Sequence, residues 1–530
     1  MQITVSDFLK IPVQQLHELT DLQFWDNEEE LDEDFSLLTE HDFNKLCDLL
    51  VDCHQLFRLE LCDNNIGNLH LSRILRLANS IASCCKLKIL DLSNNNLQAL
   101  DVEAWTVLLH SLAKAVSLDT LILNSNQLGT LKPEVLDVIF DNLVAAQLTR
   151  LDLAWNEMSN NNSLEILINK IAKYPRLISL NLSNNELFKQ PQQIIKLFAN
   201  LNVIKELKLS NNNLGLTTMD VVPEMAITHN LEVLDISNNQ LGALPAFFTF
   251  ITQQAITLKA LDLSSNKLYF VGDRLNFDSY KYLEILKLAD NDFAMLQQNF
   301  IPLIISLGQC NHLKELDLTN TNLHNLSIAD LNHLFDMLLN NQNLLVLNLA
   351  ANKLGLTSSM SKLGNLLKQN KLNKLDISDN LLGHLASDDW QHLITGLACS
   401  YNLTALNMAS NDLQENPESI VSLTQTLQHC LSLQKLNLGD NNFTAVTDYA
   451  DTLRGLFARL AALPSLVKLD LSDSLTDYLQ TAENIDVLFN FIQTTTSLTT
   501  LTLERGISCE LEQQIKNTLT NKPYLKIKLR

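Results

Sequence analysis

A chain in which one eleven-residue pattern returns sixteen times has very few folds open to it. The pattern is L-x-x-L-x-L-x-x-N-x-L, with conservative exchanges. It starts at Leu56, Leu87, Leu118, Leu148, Leu177, Ile204, Leu231 and Leu258, and again at Leu283, Leu313, Leu344, Leu372, Leu403, Leu433, Leu466 and Leu498. Successive starts lie 25–33 residues apart, a looser copy precedes them at Leu19, and a remnant, YLKIKL, begins at Tyr524. Self-similarity at such a period marks units that cannot bury an apolar face alone and must stack on their neighbours. Within each copy the x-L-x-L stretch alternates with period two, which predicts a short strand with leucines on one face. Stacked copies place these strands in a parallel sheet at about 4.8 Å per step. The asparagine turns the chain out of the sheet, and its amide can satisfy backbone groups that the turn would bury unpaired.

Between the copies lie stretches such as residues 101–116 and 332–342, with apolar side chains three and four apart. They predict helices packed behind the sheet. Strand and helix differ in width, so the stack is expected to curve with strands inside. Composition agrees: 113 of 530 residues are leucine and 57 asparagine, while glycine (13) and proline (10) are too scarce for linkers.

These copies resemble leucine-rich repeats, and the resemblance covers nearly the whole chain. It implies an α/β solenoid: a curved horseshoe with a parallel sheet on the concave face and mostly helices on the convex one. Units of 28–31 residues with full helices are similar to the ribonuclease-inhibitor subclass. The unit from Leu258 to Leu283 is shorter, and residues 269–282 do not read as a helix, so an irregular connection is expected there. Residues 1–55 are expected to cap the stack around one degenerate repeat, with a helix from Glu40 to Asp52 started by Thr39. Sixteen repeats fill 56–508, and a helix plus an edge strand carrying Lys526, Lys528 and Arg530 close the chain over 509–530.

The net charge of -22 is unevenly spread: residues 1–60 hold 15 Asp/Glu and 3 Lys/Arg, whereas the last 30 hold 6 Lys/Arg and 3 Asp/Glu. The run DNEEELDED over 26–34 reads as a solvated loop. Nothing resembles the basic stripe that a phosphate backbone needs, so nucleic acid is not an expected partner. No apolar run reaches 18 residues, and no membrane insertion is expected. Nine cysteines in no metal-ligand spacing read as free thiols in a reducing compartment. The start, MQITVSDFLKIP, lacks the basic and apolar segments of a Sec signal.

No phosphate loop, zinc-protease motif or nucleophile elbow occurs. An enzyme is not expected, nor a metal or cofactor, and the chain should be a monomeric protein-binding module. Its candidate contacts are concave-face positions that stacking does not dictate. Trp25, Phe57 and Trp155 are aromatics of the kind that anchor protein interfaces. Glu60 begins an acidic row continued by Asp91, Asp152, Asp235, Asp262, Asp317, Asp376 and Asp470, whose sign Glu206, Lys208 and Lys287 break, and Arg58 and Arg150 are further candidates on the same face. That row is first of all a common form of the repeat. Lys374, Lys435 and Lys468, with Arg505 nearby, turn the far end basic, and a face of mixed sign would orient a partner. In its asparagine-rich, glycine-poor style and irregular unit lengths the chain resembles the leucine-rich-repeat effectors that Legionella-type bacteria deliver into host cells. That resemblance implies a non-Sec route to a host cytoplasm and a host protein as partner. The alternative is an endogenous regulator of the ribonuclease-inhibitor kind that occludes an enzyme, against which nine cysteines are few.

Overall fold

The computed structural model describes residues 1–24, 34–145, 147–160, 162–171, 173–189, 191–201, 203–216, 230–243, 257–270, 276–369, 371–443, 449–475 and 482–504, and thereafter 513, 515, 522 and 524–529. The chain folds as two compact units, Met1–Asp262 and Leu263–Arg530.

The described residues of the first unit carry ten short parallel strands: β1 (Gln2–Ile3), β2 (Asp21–Phe24), β3 (Arg58–Glu60), β4 (Ile89–Asp91), β5 (Thr120–Ile122), β6 (Arg150–Asp152), β7 (Ser179–Asn181), β8 (Glu206–Lys208), β9 (Val233–Asp235) and β10 (Ala260–Asp262). Each pairs with the next so that equivalent positions meet, as Arg58, Leu59 and Glu60 do with Ile89, Leu90 and Asp91. The middle residue of each strand from β3 to β10 is a buried leucine, and the two flanking side chains point to the open face. Behind the strands run helices such as Leu71–Ser83 and Val102–Leu112, which turn Ile74, Leu77, Ile81, Trp105 and Leu109 inward.

The chain leaves each strand through the buried asparagine. Asn126 shows the scheme: its Oδ1 accepts from the N–H of Asn95 (3.0 Å) and of Leu97 (3.2 Å), and its Nδ2 donates to the carbonyls of Leu92 and Leu123. The same rungs recur at Asn95, Asn156, Asn185, Asn212 and Asn239. The residues on either side of the asparagine take left-handed backbone, as at Asn94 and Asn96, and a turn of 3₁₀ helix follows, as at Leu97–Ala99. Asparagine tolerates that conformation better than other non-glycine residues. The asparagine excess thus serves both the buried rungs and the exposed turns beside them.

In the degenerate first repeat Thr39 Oγ1 accepts from Asp42 N–H (3.1 Å) and starts the helix Glu40–Val51. Phe8, Phe24, Phe35 and Phe43 pack in a chain of edge-on rings where full repeats use leucine, with centroids 5.1, 5.9 and 6.4 Å apart. Strand β1, which pairs with β2, has no counterpart among the sequence expectations, because two residues are too short to show a period.

The described residues of the second unit repeat the plan with nine strands: β11 (Ile285–Lys287), β12 (Glu315–Asp317), β13 (Val346–Asn348), β14 (Lys374–Asp376), β15 (Ala405–Asn407), β16 (Lys435–Asn437), β17 (Lys468–Asp470), β18 (Thr500–Leu503) and β19 (Lys526–Leu529). Asn291, Asn352, Asn380, Asn411 and Asn441 form the rungs, with Thr321 and Ser474 as substitutes. Backbone packing between rungs is close: a Cβ on Gly355 would sit 1.8 Å from the carbonyl oxygen of Leu381. In the short unit the described residues show an irregular connection, where the buried rings of Phe277 and Tyr280 stand in for a helix. The terminal remnant is a strand, with Lys526 opposite Thr500. The expected helix over 509–519 and Arg530 lie almost wholly outside the described residues. Among those described, no helix is long and apolar enough to cross a membrane.

Removing a rung should cost as much as the backbone groups it leaves unpaired. Asn380 accepts from Asn352 and Leu354 N–H and donates to Leu349 and Ser378 carbonyls. Asn380→Ala is expected to destabilise the protein by about 2–4 kcal/mol, read from urea unfolding. Thr321 has no amide, and its hydroxyl donates to Leu318 O and Asn352 Oδ1. Thr321→Asn is expected to stabilise by about 1 kcal/mol in the same measurement.

Candidate binding surface

Each strand offers two side chains to the open face, and the structure assigns them different duties. The third residue is largely committed to the fold. Asp91 Oδ1 accepts from the N–H of Ser93 (2.9 Å), and Asp235, Asp317, Asp376 and Asp470 bond the residue two further on in the same way at 2.9–3.0 Å. Asn181, Asn348, Asn407 and Asn437 do the same with their amide oxygens. Only an acceptor is needed, which is why Asp and Asn interchange there. In these members the acidic row is a set of turn closures.

The first residue of each strand has no such duty, and the two units use it differently. In the first unit the cations are already neutralised. Arg58 pairs with Glu60 two residues away. Arg150 reaches past β7 to Glu206 at 2.8 Å, and Lys208 lies 3.3 Å from the same carboxylate. Burial pushes the Glu206 carboxyl up, but Lys208, the Ser179 hydroxyl and Arg150 together outweigh it and hold the group below its ordinary range. Outward positions of β2–β10 carry seven carboxylates against three cations.

Two aromatics stand out from this face. Phe57, just before β3, is 43% exposed, with the Lys88 ammonium 5.6 Å from its ring centroid. Trp155, just past β6, is 60% exposed and sits at φ 56°. Equivalent positions in other repeats hold Asp63, Asn94, Ser125, Asn184, Asn211 and Asn238 in that same left-handed backbone. Asn94 there donates to Asp63, and Asn238 to Asn211, so Trp155 interrupts an exposed polar ladder. A bulky ring in a conformation that favours asparagine gains nothing for the fold. Trp25 and Arg505 lie outside the described residues.

In the second unit Lys287 occupies the outward position opposite Asp317. Beyond it, Lys374, Lys435 and Lys468 are exposed, and among the described residues none of the three has an ion-pair partner. Lys435 and Lys468 are direct neighbours across β16 and β17. Lys526 and Lys528 extend the basic character, so β14–β19 present five lysines against two carboxylates. A shallow groove of about 540 Å³ runs over this face from Glu315 to Lys528. Sequence reading found the lysines but not the contrast with the paired cations of the first unit, since pairing depends on which side chains neighbour one another across strands.

Nothing in these arrangements brings a nucleophile to a base. Among the described residues no group of three or more His, Cys, Asp or Glu is placed to hold a metal ion. The eight described cysteines are free. Burial pushes the thiols of Cys47 and Cys430 up to about 11 and those of Cys53, Cys84 and Cys310 to about 12, where the thiolate is scarce and unreactive.

Comparison with known families agrees with this architecture. Leucine-rich-repeat family models match residues 83–104 and 230–250. The chain is an α/β leucine-rich-repeat solenoid, and repeats of this family build protein-interaction scaffolds. Comparison of the sequence with curated proteins returns no match. Among solved structures it is similar to the leucine-rich repeat-containing protein LegL7 from Legionella pneumophila, at 21% identity and a TM-score of 0.42. That likeness covers 64% of this chain and 97% of the other.

Two outcomes follow for the isolated protein. Trp155→Asn should stabilise it by about 0.5–1 kcal/mol in urea unfolding, because asparagine accepts left-handed backbone at lower cost. Glu206 titrates lower when folded, so its contribution to stability is present above the ordinary carboxylate range and fades as pH falls through the lowered folded value. Glu206→Gln should therefore lower the urea midpoint at pH 7 and make progressively less difference towards the acid limit of folding.

Proposed function

We propose that the chain binds a partner protein across the open face of its sheet, and that Trp155 is a principal anchor in the first unit. The observation that carries this reading is the exposure of Trp155 in a backbone conformation where its neighbours use small polar residues. The ring spends stability in the free protein, and interface hot spots are enriched in tryptophan. A preformed sheet face also lowers the ordering cost of association. Phe57 and the charged cluster around Glu206 give the face of the first unit the mixed chemistry that fixes a partner's orientation.

The finer reading is an effector that works in a host cell's reducing cytoplasm on a host protein. Its support is the asparagine-rich composition and the free, mostly buried thiols, which suit such a compartment. The partner occupies the face without chemistry.

Affinity capture from eukaryotic lysate tests both. A protein retained by the native chain and lost by Trp155→Asn, whose fold is expected to be at least as stable, would support the face and name the client. Equal retention by both would remove Trp155 from the interface. No specific retention by either would overturn the host-protein reading.

A further inference from the structure

We infer that the lysine row of the second unit is a docking site for an acidic α-helix laid across the strands, a proposal that rests on the scaffold reading above. Three observations lead there. First, the row is unsatisfied. Lys374, Lys435 and Lys468 are exposed with no ion-pair partner among the described residues, whereas Arg58, Arg150 and Lys208 in the first unit all have one. Second, it is crowded. Lys435 and Lys468 are registered neighbours on adjacent strands, about 4.8 Å apart at the backbone, a placement that destabilises the free protein. Third, it is a graded row rather than a cluster. Lys374, Lys435, Lys468 and Lys526 occupy the first position of β14, β16, β17 and β19, with Ala405 and Thr500 in the gaps.

The spacing selects the partner's secondary structure. At about 4.8 Å per strand the four lysines stand at roughly 0, 10, 14 and 24 Å along the row. An α-helix rising 1.5 Å per residue puts positions i, i+7, i+11 and i+18 at about 0, 10, 16 and 27 Å, all within roughly 20° of one stripe. The small mismatch is within reach of a lysine side chain. An extended strand shows one face every 6.8 Å or so and misses the second lysine. Ala405 leaves room between the first two lysines for a small apolar side chain at i+3 or i+4. The parallel row of Asp376, Asn407, Asn437 and Asp470 sets two carboxylates beside the lysines, which disfavours a nucleic-acid backbone.

The test selects a displayed library of helical peptides, randomised along one face, on the full-length chain, then titrates the enriched peptides by fluorescence anisotropy. Enrichment of Glu or Asp at the 7–4–7 spacing is expected. Binding should weaken about tenfold or more in the Lys435→Glu/Lys468→Glu variant and fall with rising salt. Peptides with Lys at i+7 and i+11 should recover binding to that variant. Lys468→Glu alone places opposite charges side by side on β16 and β17; it should raise the urea midpoint and still weaken binding, a loss that cannot be ascribed to unfolding. Enriched peptides that are neutral or basic, or that bind the variant as well as the native chain, would overturn the acidic-helix assignment. They would leave the scaffold reading intact, since that is judged by Trp155. No enrichment at all, or tighter binding of a single-stranded oligonucleotide than of any peptide, would overturn the acidic-helix assignment as well.

Discussion

Each repeat has to bring its backbone out of a buried strand without stranding its polar groups, and the asparagine side chain solves this for two repeats at once. Through Oδ1 it holds the N–H groups of the preceding repeat's turn, and through Nδ2 it donates to carbonyls of both repeats. A rung is therefore a contact between successive units, buried from water, where an unpaired group costs about 1–3 kcal/mol. The strand register, the left-handed residues on either side and the 3₁₀ turn that follows are all consequences of keeping that side chain in place. Where the rung is Thr321 or Ser474, a hydroxyl takes over part of the task.

Because the rungs and the leucine columns carry the fold, few outward side chains need to. The third strand position is drawn into closing the turn, which explains why aspartate and asparagine alternate there without apparent order. The first strand position and the residue before the rung remain open. That is where the chain departs from its own pattern, with Trp155 in a polar ladder and with lysines on β14, β16 and β17 that have no ion-pair partner among the described residues. Departures from local consistency concentrate at functional positions.

Much of this was legible in the sequence, for reasons that can be named. Leucines at period two and asparagines at a fixed offset give the strand, its buried face and the turn, because both signals recur in every copy. Thr39 marked a helix start, and the short unit at Leu258 marked an irregular connection. Strand β1 was invisible because two residues hold no period. The role of Asp376 in its own turn was hidden by its resemblance to a surface charge. The pairing of Arg150 with Glu206, 56 residues away, could not be read from spacing along the chain, since it depends on which side chains stand two strands apart. Trp155 was legible as an oddity, but its left-handed backbone was not.

The central claim is that partners meet the sheet face and not the helical layer. The direct measurement is site-specific photo-crosslinking of the full chain to its captured partner, with a photoreactive residue in place of Asn184, which holds the position equivalent to Trp155 in the next repeat, of Ala405 or of Ile305. The last is 62% exposed on the helix Phe300–Leu307. Adducts from positions 184 or 405 and none from 305 are the expected result. Adducts from 305 alone would place the partner on the helical layer and contradict the claim.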